Sequence, residues 1–215
     1  MSGGCIRADW PAPDGIVAGT TLRAGDFVLP AAPQWLNQVH GTTVVHAGSP
    51  QFDADPPAAD AIIADRPGDI CVVRTADCLP ILLCSSDGKE IAAIHAGWRG
   101  LAAGIVEATV AALATANDQL MAWFGPAISQ PAFEVGAEVK EAFVQKNVVA
   151  GAAFLENAQG RWQADLYGLA RQRLEAVAVS QIFGGGLCTY ADAERFYSYR
   201  RDGETGRMLS FIYRA

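Results

Sequence analysis

Three candidate ligands for one transition-metal ion, two imidazoles and a thiol, lie far apart in the sequence. They are His40 in "LNQVHG", Cys78 in "TADC" and His95 in "IHAGW". A catalytic zinc typically takes three imidazole, thiolate or carboxylate ligands and keeps one position open for water or substrate. The set therefore predicts an open zinc site. The third histidine of the chain, His46, stands before the turn "AGSP" and is interpreted as a surface residue.

Other chemistry remains open for the same residues. A buried histidine is more often satisfied by hydrogen bonds than by a metal, and the long separations carry little specificity. If Cys78 and His95 are neighbours, they would also suit a cysteine hydrolase with a thiolate nucleophile and an imidazole base. Cys188 in "LCTY" is a candidate fourth ligand for a closed, structural metal site. Two histidines and a cysteine also suit copper, although a multicopper cluster needs more imidazoles than His46 adds.

Further polar residues could support such a site. Asp60 in "AADAIIA" and Asp77 in "TADC" are candidates for carboxylates that orient a liganding imidazole, with ordinary turn residues as the alternative. Arg99 in "GWRG" and the pair Arg200 and Arg201 in "SYRRDG" could bind an anion such as phosphate, although arginines beside a turn are usually solvated.

A hairpin is expected to bring Cys78 and His95 together. Two apolar runs, "PILLCS" and "KEIAAIH", flank Asp87-Gly88, a dipeptide typical of two-residue turns in which both residues take positive φ. This register places His95 opposite Pro80, with Cys78 two residues further along on the same side. Such diagonal neighbours lie about 7–8 Å apart, which is close enough to share one metal ion.

The remaining pattern predicts more strands than helices, and hence an α+β fold. The predicted helices are 101–116, 136–149 and 165–177, the last with Asp165 as its N-cap. The predicted strands are 35–45, 61–64, 70–75, 81–85, 90–95, 121–124 and 181–183, with a hairpin of 195–200 and 207–213.

Composition limits the function classes. The chain has 215 residues and a net charge of −7, so we expect a single domain over residues 1–215 that does not bind nucleic acid. There is no apolar run of membrane-spanning length and no signal-peptide pattern, which predicts a cytoplasmic protein without a membrane contact. The five cysteines form no CxxC pair and do not suggest a disulfide framework. The sequence does not determine the oligomeric state.

Taken together, the motifs resemble one known family, the YfiH-like proteins, which are described as purine nucleoside phosphorylases and formerly as multicopper polyphenol oxidases or laccase-domain proteins. The matching strings run in order from Trp35 to the end: "WLNQVHGTTVV", "ADAIIA", "VVRTADCLPILLC", "AAIHAGWRGLAAGI", "GPAISQPAFEVGAEV", "DLYGLARQRL", "IFGGGLCTY" and "FYSYRRDGETGRMLSFI". The resemblance implies a four-layer α/β/β/α fold. It also implies a zinc ion held by His40, Cys78 and His95 as the catalytic centre.

The activity implied by the resemblance is zinc-dependent phosphorolysis of adenosine, inosine or guanosine to the free base and ribose 1-phosphate. Deamination of adenosine and phosphorolysis of methylthioadenosine are implied as well, although the HxE signature of zinc deaminases is absent. The partners would be a nucleoside and phosphate, with the phosphate held by one or more of Arg23, Arg99, Arg200 and Arg201. Copper-dependent oxidation of phenols and editing of peptidoglycan precursors by a Cys–His hydrolase are the alternatives.

The chain departs from the family pattern near its N-terminus. "GIVAGTTLRAGD" resembles the family's opening strand and arginine-glycine turn, with Arg23 in the arginine position. The family then usually has a long polar segment with an "LNLG"-like turn, whereas here Asp26 runs almost directly into "FVLPAAPQWL". If the family's polar segment helps to close the site, substrate recognition from this side is expected to differ.

Overall fold

A computed structural model describes residues 4–53 and 55–215. In the described residues the strands are β1 Cys5–Arg7, β2 Ile16–Thr21, β3 Val44–His46, β4 Ala61–Ala64, β5 Ile70–Thr75, β6 Leu79–Ser85, β7 Ile91–Ala96, β8 Leu120–Phe124, β9 Glu134–Val135, β10 Phe154–Glu156, β11 Trp162–Ala164, β12 Gln181–Gly184 and β13 Met208–Arg214. The helices are α1 Trp98–Ala103, α2 Ile105–Ala112, α3 Ala137–Val144, α4 Leu166–Ala176 and α5 Tyr199–Asp202.

Two packed sheets form the centre of the fold. A six-stranded sheet has the order β12-β8-β6-β7-β4-β3, and a four-stranded sheet has the order β1-β2-β13-β5. A small sheet, β10-β11-β9, lies beside helix α3. The pairing is mostly antiparallel, with parallel pairs between β12 and β8 and between β3 and β4. The predicted α+β class with hairpins is confirmed.

The six-stranded sheet is buried on both faces, which explains its continuous apolar runs. Along β6, Ile81 and Leu83 pack into the core shared with helices α1 to α4, whereas Leu82 and Cys84 pack into the core shared with the four-stranded sheet. Strands β7 and β8 alternate in the same way. The layers are therefore helices, sheet and sheet, in the order that the resemblance implies.

The outer face of the four-stranded sheet carries its own apolar cluster. Ile70, Val72 and Phe211 are buried there, and Phe27 stacks on Phe211 with ring centroids 4.6 Å apart. In the described residues the cover on this face is the non-helical segment around Phe27 and Leu29, which is the shortened segment noted in the sequence. The fourth layer is thus reduced here to an extended piece of chain.

The predicted register of the central hairpin is confirmed, but its turn is of a different kind. Pro80 pairs with His95, as expected. Of the two turn residues only Gly88 has positive φ, at 70°. The Ser85 N–H donates to the Glu90 carbonyl, and the Asp87 carboxylate accepts from the Ser85 hydroxyl and the Lys89 N–H. These side-chain bonds stabilise a four-residue loop in the same frame.

Three other predicted elements were wrong in part. The strand 35–45 is reduced to a single bridge at Asn37 and to β3, and the helix 101–116 breaks into α1 and α2 at Gly104, where φ is 113°. The predicted hairpin of 195–200 and 207–213 does not form. Its first half ends in helix α5, while its second half becomes β13, which pairs with β2 and β5.

We expect Leu82→Ala to lower the free energy of unfolding by about 2–5 kcal/mol, because the side chain is fully buried between the two sheets and its removal leaves a cavity. Urea unfolding measures this loss. Leu155→Ala is the matched control, since Leu155 is 58% exposed on the small sheet and should change stability by less than about 0.5 kcal/mol. Equal losses for the two variants would contradict the assigned core.

Candidate metal centre and substrate cavity

The central hairpin positions two of the three candidate ligands. Cys78 directly precedes β6, and His95 lies near the end of the neighbouring strand β7. Because Pro80 is opposite His95, Cys78 falls at the diagonal position on the same side of the ribbon. The hairpin therefore brings the thiol and the imidazole to one end of the six-stranded sheet.

His40 reaches the same point from a turn. Its backbone lies in the left-handed region with φ 61°, which is uncommon for a residue other than glycine. The N–H groups of Val39, His40 and Gly41 all donate to the carboxylate of Asp60, at 3.3, 2.9 and 2.6 Å. These three hydrogen bonds hold the turn and direct the imidazole towards Cys78, with His40 Nε2 3.7 Å from the sulfur.

The three side chains converge. One ligand atom from each of His40, Cys78 and His95 lies within 4.8 Å of the others, and the two imidazole rings meet edge to face with centroids 4.7 Å apart. Gly97 leaves the necessary space, because a Cβ atom there would lie 2.6 Å from the His40 ring and 3.1 Å from the Cys78 sulfur. Imidazole nitrogen and thiolate sulfur are ligands that zinc and copper accept, so the donor set fits either metal.

Asp60 connects the two histidines. It is fully buried, and besides the turn at His40 it accepts a hydrogen bond from His95 Nδ1 at 2.7 Å. The backbone carbonyl of Asp60 also accepts from the N–H of His95. Because Nδ1 is engaged, the Nε2 of His95 is the nitrogen that remains for a metal, as is usual for a ligand held by a carboxylate.

The electrostatics of the group favour a thiolate. Burial opposes ionisation of Cys78, but hydrogen bonds with His40 and His95 and the positive charges of these imidazoles outweigh it and lower the pKa of the thiol to about 6. For His95, burial likewise acts against the charged form, yet the hydrogen bonds to Asp60 and Cys78 raise the pKa to about 9. By contrast, burial without such partners raises the pKa of Cys84 to about 12.

The group opens into a cavity of about 720 Å³. Its lining combines apolar and aromatic residues with polar and cationic ones. The lining residues are Asn37, Gln38, His40, Arg74, Thr75, Ala76, Asp77, Cys78, His95, Trp98, Arg99, Ile128, Phe133, Leu166, Tyr199, Arg200, Thr205 and Arg207. Such a volume lies within the usual range of small-molecule binding sites.

Four arginines line the cavity: Arg74, Arg99, Arg200 and Arg207. Within residues 4–53 and 55–215, none of these guanidinium groups has a carboxylate within salt-bridge distance, whereas six of the nine other arginines form such pairs. The acidic residue of the wall is Asp77. On a chain with a net charge of −7, this cavity is therefore a local cationic region.

Two of the four arginines expected to bind phosphate do not line the cavity. Arg201 donates hydrogen bonds to the carbonyls of Thr189, Tyr190 and Phe196 and pairs with Asp202, so its side chain holds a loop together. The Arg23 guanidinium lies 3.7 Å from the same Asp202 carboxylate and 5.3 Å from the ring centroid of Tyr197. Both side chains are engaged in supporting the segment that leads to Arg200 and Arg207.

The other candidate residues have structural partners. The carboxylate of Asp77 accepts from the Thr189 hydroxyl and from the Arg200 N–H, and does not contact an imidazole. The Cys188 sulfur accepts from the N–H groups of Ser129 and Ala191, and in the described chain it is not part of the group formed with His40. His46 lies at the surface, with Nε2 3.3 Å from Asp65.

Comparison with known proteins gives the family. The protein-family model described as "Multi-copper polyphenol oxidoreductase laccase" matches residues 18–215 of this chain. A protein of Escherichia coli strain K12 named purine nucleoside phosphorylase YfiH is 51% identical over 185 residues, which span 86% of this chain and 75% of that protein. The chain belongs to the YfiH-like family. A second relative, a purine nucleoside phosphorylase of Pseudomonas aeruginosa, is 44% identical to the chain described here over 242 aligned positions, which cover 97% of each chain.

Solved structures agree with this family fold. A Neisseria meningitidis protein superposes with a TM-score of 0.92 at 39% identity, covering 98% of this chain and 99% of the other. YlmD from Geobacillus stearothermophilus has a TM-score of 0.84 at 26% identity, with 100% and 97% coverage. Within the described residues of this YfiH-like chain, no helix is both long enough and apolar enough to span a membrane.

Sequence reasoning missed several residues of the cavity. Arg74 carries a usable signal, because it is a charged residue in the apolar run "ICVVRT", and in strand β5 it is the one exposed position. Asn37 and Gln38 belong to the motif that contains His40, and Gln38 exchanges two hydrogen bonds with the backbone of Arg74. Arg207 lies in the glycine-containing loop after α5, where the sequence offers no cue that separates it from a solvated arginine.

We expect the Cys78 thiol of the metal-free protein to ionise with a pKa of about 6, because the two imidazoles favour the thiolate. The difference in ultraviolet thiolate absorbance between wild type and Cys78→Ser, recorded against pH, measures it. The thiolate should be present above pH 6 and protonated below it. Because the thiolate is the form that binds metal, the fraction of bound metal should decrease as the pH is lowered through 6. Cys84→Ser should leave this step unchanged, and a midpoint near the ordinary thiol value of about 8.5 would contradict the assignment.

Proposed function

We propose that the chain is a zinc-dependent purine nucleoside phosphorylase with His40, Cys78 and His95 as the metal ligands. One observation carries the proposal: a three-residue metal group opens into a nucleoside-sized cavity whose wall holds four arginines without carboxylate partners. The names of the E. coli and P. aeruginosa relatives support the same activity. The wall draws on residues from Asn37 to Arg207, which supports the interpretation of the chain as a single functional domain.

The chain's own residues would divide the work. Phosphate would be bound by the cavity arginines, of which Arg200 and Arg207 lie on the segment after Ser198 and Arg99 follows Trp98. Guanidinium groups suit this role because they offer paired N–H donors to phosphate oxygens. The purine would pack against the aromatic part of the wall, which includes Trp98, Phe133 and Tyr199.

Phosphorolysis then requires an oxygen of hydrogen phosphate to attack C1′ of the ribose while the bond from C1′ to the purine nitrogen breaks. The proton of the hydrogen phosphate passes to the departing base. The arginines hold the attacking group in place, and the apolar wall limits the access of water, so that ribose 1-phosphate is formed in preference to free ribose. Zinc in such a site supplies Lewis acidity towards an oxygen of the substrate or of water. Asp60 keeps the His95 ring oriented for its part of the site.

Finer activities belong to the same proposal. Deamination of adenosine would use the same metal group on C6 of the purine, and methylthioadenosine would place its 5′ substituent against the apolar wall near Ile128 and Leu166. Copper is the alternative metal, in keeping with the description of the matched family model. However, of the three histidines in the chain, His46 lies apart at the surface, and this argues against a multicopper oxidase cluster.

A second function is favoured by one observation. The lowered pKa of Cys78 and the raised pKa of His95 describe a thiolate beside an imidazolium, which is the arrangement of a cysteine hydrolase. Such an enzyme would act on an amide, for example in a peptidoglycan precursor, and it would not need a metal. Chelation separates the two functions, since it abolishes zinc chemistry and spares a Cys–His hydrolase.

We expect the purified protein to contain about one zinc per chain and to release adenine from adenosine only when phosphate is present. Cys78→Ala should lose both the metal and the turnover, because it removes one of three ligands. Mass spectrometry gives the metal content and chromatography the products. Cys5→Ala, in strand β1, is the control and should keep both properties. A metal-free active enzyme, or turnover that does not depend on Cys78, would refute the proposal.

We expect Arg200→Gln and Arg207→Gln each to raise the KM for phosphate by about tenfold, since each removes a charged hydrogen-bond donor from the cavity. The KM for adenosine should change less. Arg161→Gln is the matched control, because Arg161 pairs with Glu134 and does not line the cavity. Unchanged phosphate KM values in both cavity variants would exclude these arginines as phosphate ligands.

A further inference from the structure

Asp77 ties together three segments that meet at the cavity. Its backbone carbonyl accepts from the N–H of Ile128, one carboxylate oxygen accepts from the Thr189 hydroxyl at 2.6 Å, and the other accepts from the Arg200 N–H at 2.7 Å. Asp77 and Thr189 are both buried. Each carboxylate oxygen therefore has its own donor, and the two donors come from different parts of the chain.

The backbone of Asp77 is held in an uncommon conformation. Its φ is 92°, a value that L residues other than glycine rarely adopt and that costs about 1–3 kcal/mol where it occurs. Such strain persists only when surrounding contacts hold it, and here the contacts are the three hydrogen bonds of Asp77. The next residue is Cys78, so the same conformation sets the direction in which the candidate metal ligand leaves the turn.

On its other side, Asp77 holds part of the cavity wall. The N–H of Arg200 belongs to helix α5, which presents Tyr199 and Arg200 to the cavity. The guanidinium of Arg201 binds the carbonyls of Thr189 and Phe196, and this joins α5 to the residue that donates to Asp77. The carboxylate of Asp77 is thus the point where the turn of Cys78 and the wall of Arg200 are fixed to each other.

We propose that Asp77 is a positioning residue that couples the metal group to the phosphate-binding wall, so that Cys78 and Arg200 keep their relative placement. The inference rests on the proposed function, because it takes the anion bound by the wall to be the phosphate co-substrate. Both carboxylate oxygens of Asp77 accept hydrogen bonds from within the protein, so the side chain is engaged in holding these segments together. Among the described residues that line the cavity, Asp77 is the acidic one, and this positioning role explains why a carboxylate is tolerated beside the arginines.

The direction in which phosphate affinity changes in Asp77→Asn separates this role from a purely electrostatic one. Asp77→Asn removes a negative charge from a phosphate-binding cavity, and charge alone would tighten phosphate binding. The same change also replaces two hydrogen bonds to a charged carboxylate by neutral ones, and the Thr189 hydroxyl must turn to accept from the new NH₂ group, which weakens the link. Positioning therefore predicts weaker binding. Thr189→Val removes one donor without changing charge, so it should weaken binding under positioning and have no effect under electrostatics.

The experiment is calorimetric titration of inorganic phosphate into the zinc-loaded full chain, together with the rate of zinc loss to a chelator. We expect Asp77→Asn to raise the Kd for phosphate by about tenfold and Thr189→Val to raise it severalfold, with faster zinc loss in both. Asp192→Asn is the control, because that carboxylate also accepts from a backbone N–H, that of Arg195, but does not line the cavity. It should leave both values unchanged.

Two outcomes would overturn the inference. If Asp77→Asn binds phosphate more tightly than wild type or equally well, Asp77 acts only through its charge or as a local cap. If Asp192→Asn changes the Kd for phosphate and the rate of zinc loss as much as Asp77→Asn does, the effect is a general loss of stability. If Asp77→Asn does not fold, Thr189→Val decides by itself. If wild type binds no phosphate, the proposed function fails, and zinc loss alone still tests whether Asp77 holds Cys78 in place.

Discussion

The carboxylate of Asp60 is the interaction on which the site depends. A fully buried charge is costly unless it is hydrogen-bonded, and this one is satisfied by three consecutive backbone N–H groups and by His95 Nδ1. Those donors come from a turn and from a strand that otherwise have no reason to meet. The turn places His40, the strand places His95, and both are fixed by one side chain at the start of β4.

The apolar patterns in the sequence were sufficient to predict the strands and the hairpin that carry these residues. Strands β4 and β5 have the predicted bounds, and the hairpin has the predicted register, because continuous apolar runs of this length fit a sheet buried on both faces. The turn at His40 could not be predicted. Its backbone donors bind a carboxylate twenty residues further along, and such a long-range partner leaves no trace in a local pattern.

The arginines show the same limit more sharply. Arg200 and Arg201 are adjacent and chemically identical, yet one lines the cavity while the other binds three carbonyls behind it. The segment was expected to be a strand, in which neighbours point to opposite faces of a sheet. In fact it ends in a single helical turn that Ser198 and Asp77 cap from two sides. Whether each guanidinium lines the cavity or binds the protein is therefore determined by its tertiary contacts, which a local sequence pattern does not contain.

The hairpin register fixes how many residues can lie between the turn and His95, although most of these residues do not contact the metal group. Side chains alternate between the two faces of β7, so Ile94 faces the helices and Ala93 faces the second sheet. The residues at 91–94 are fully buried and can exchange only for apolar types of similar volume, whereas one residue more or fewer between the turn and His95 would turn the imidazole to the opposite face. Length in this stretch of the gene is thus constrained more strictly than its composition.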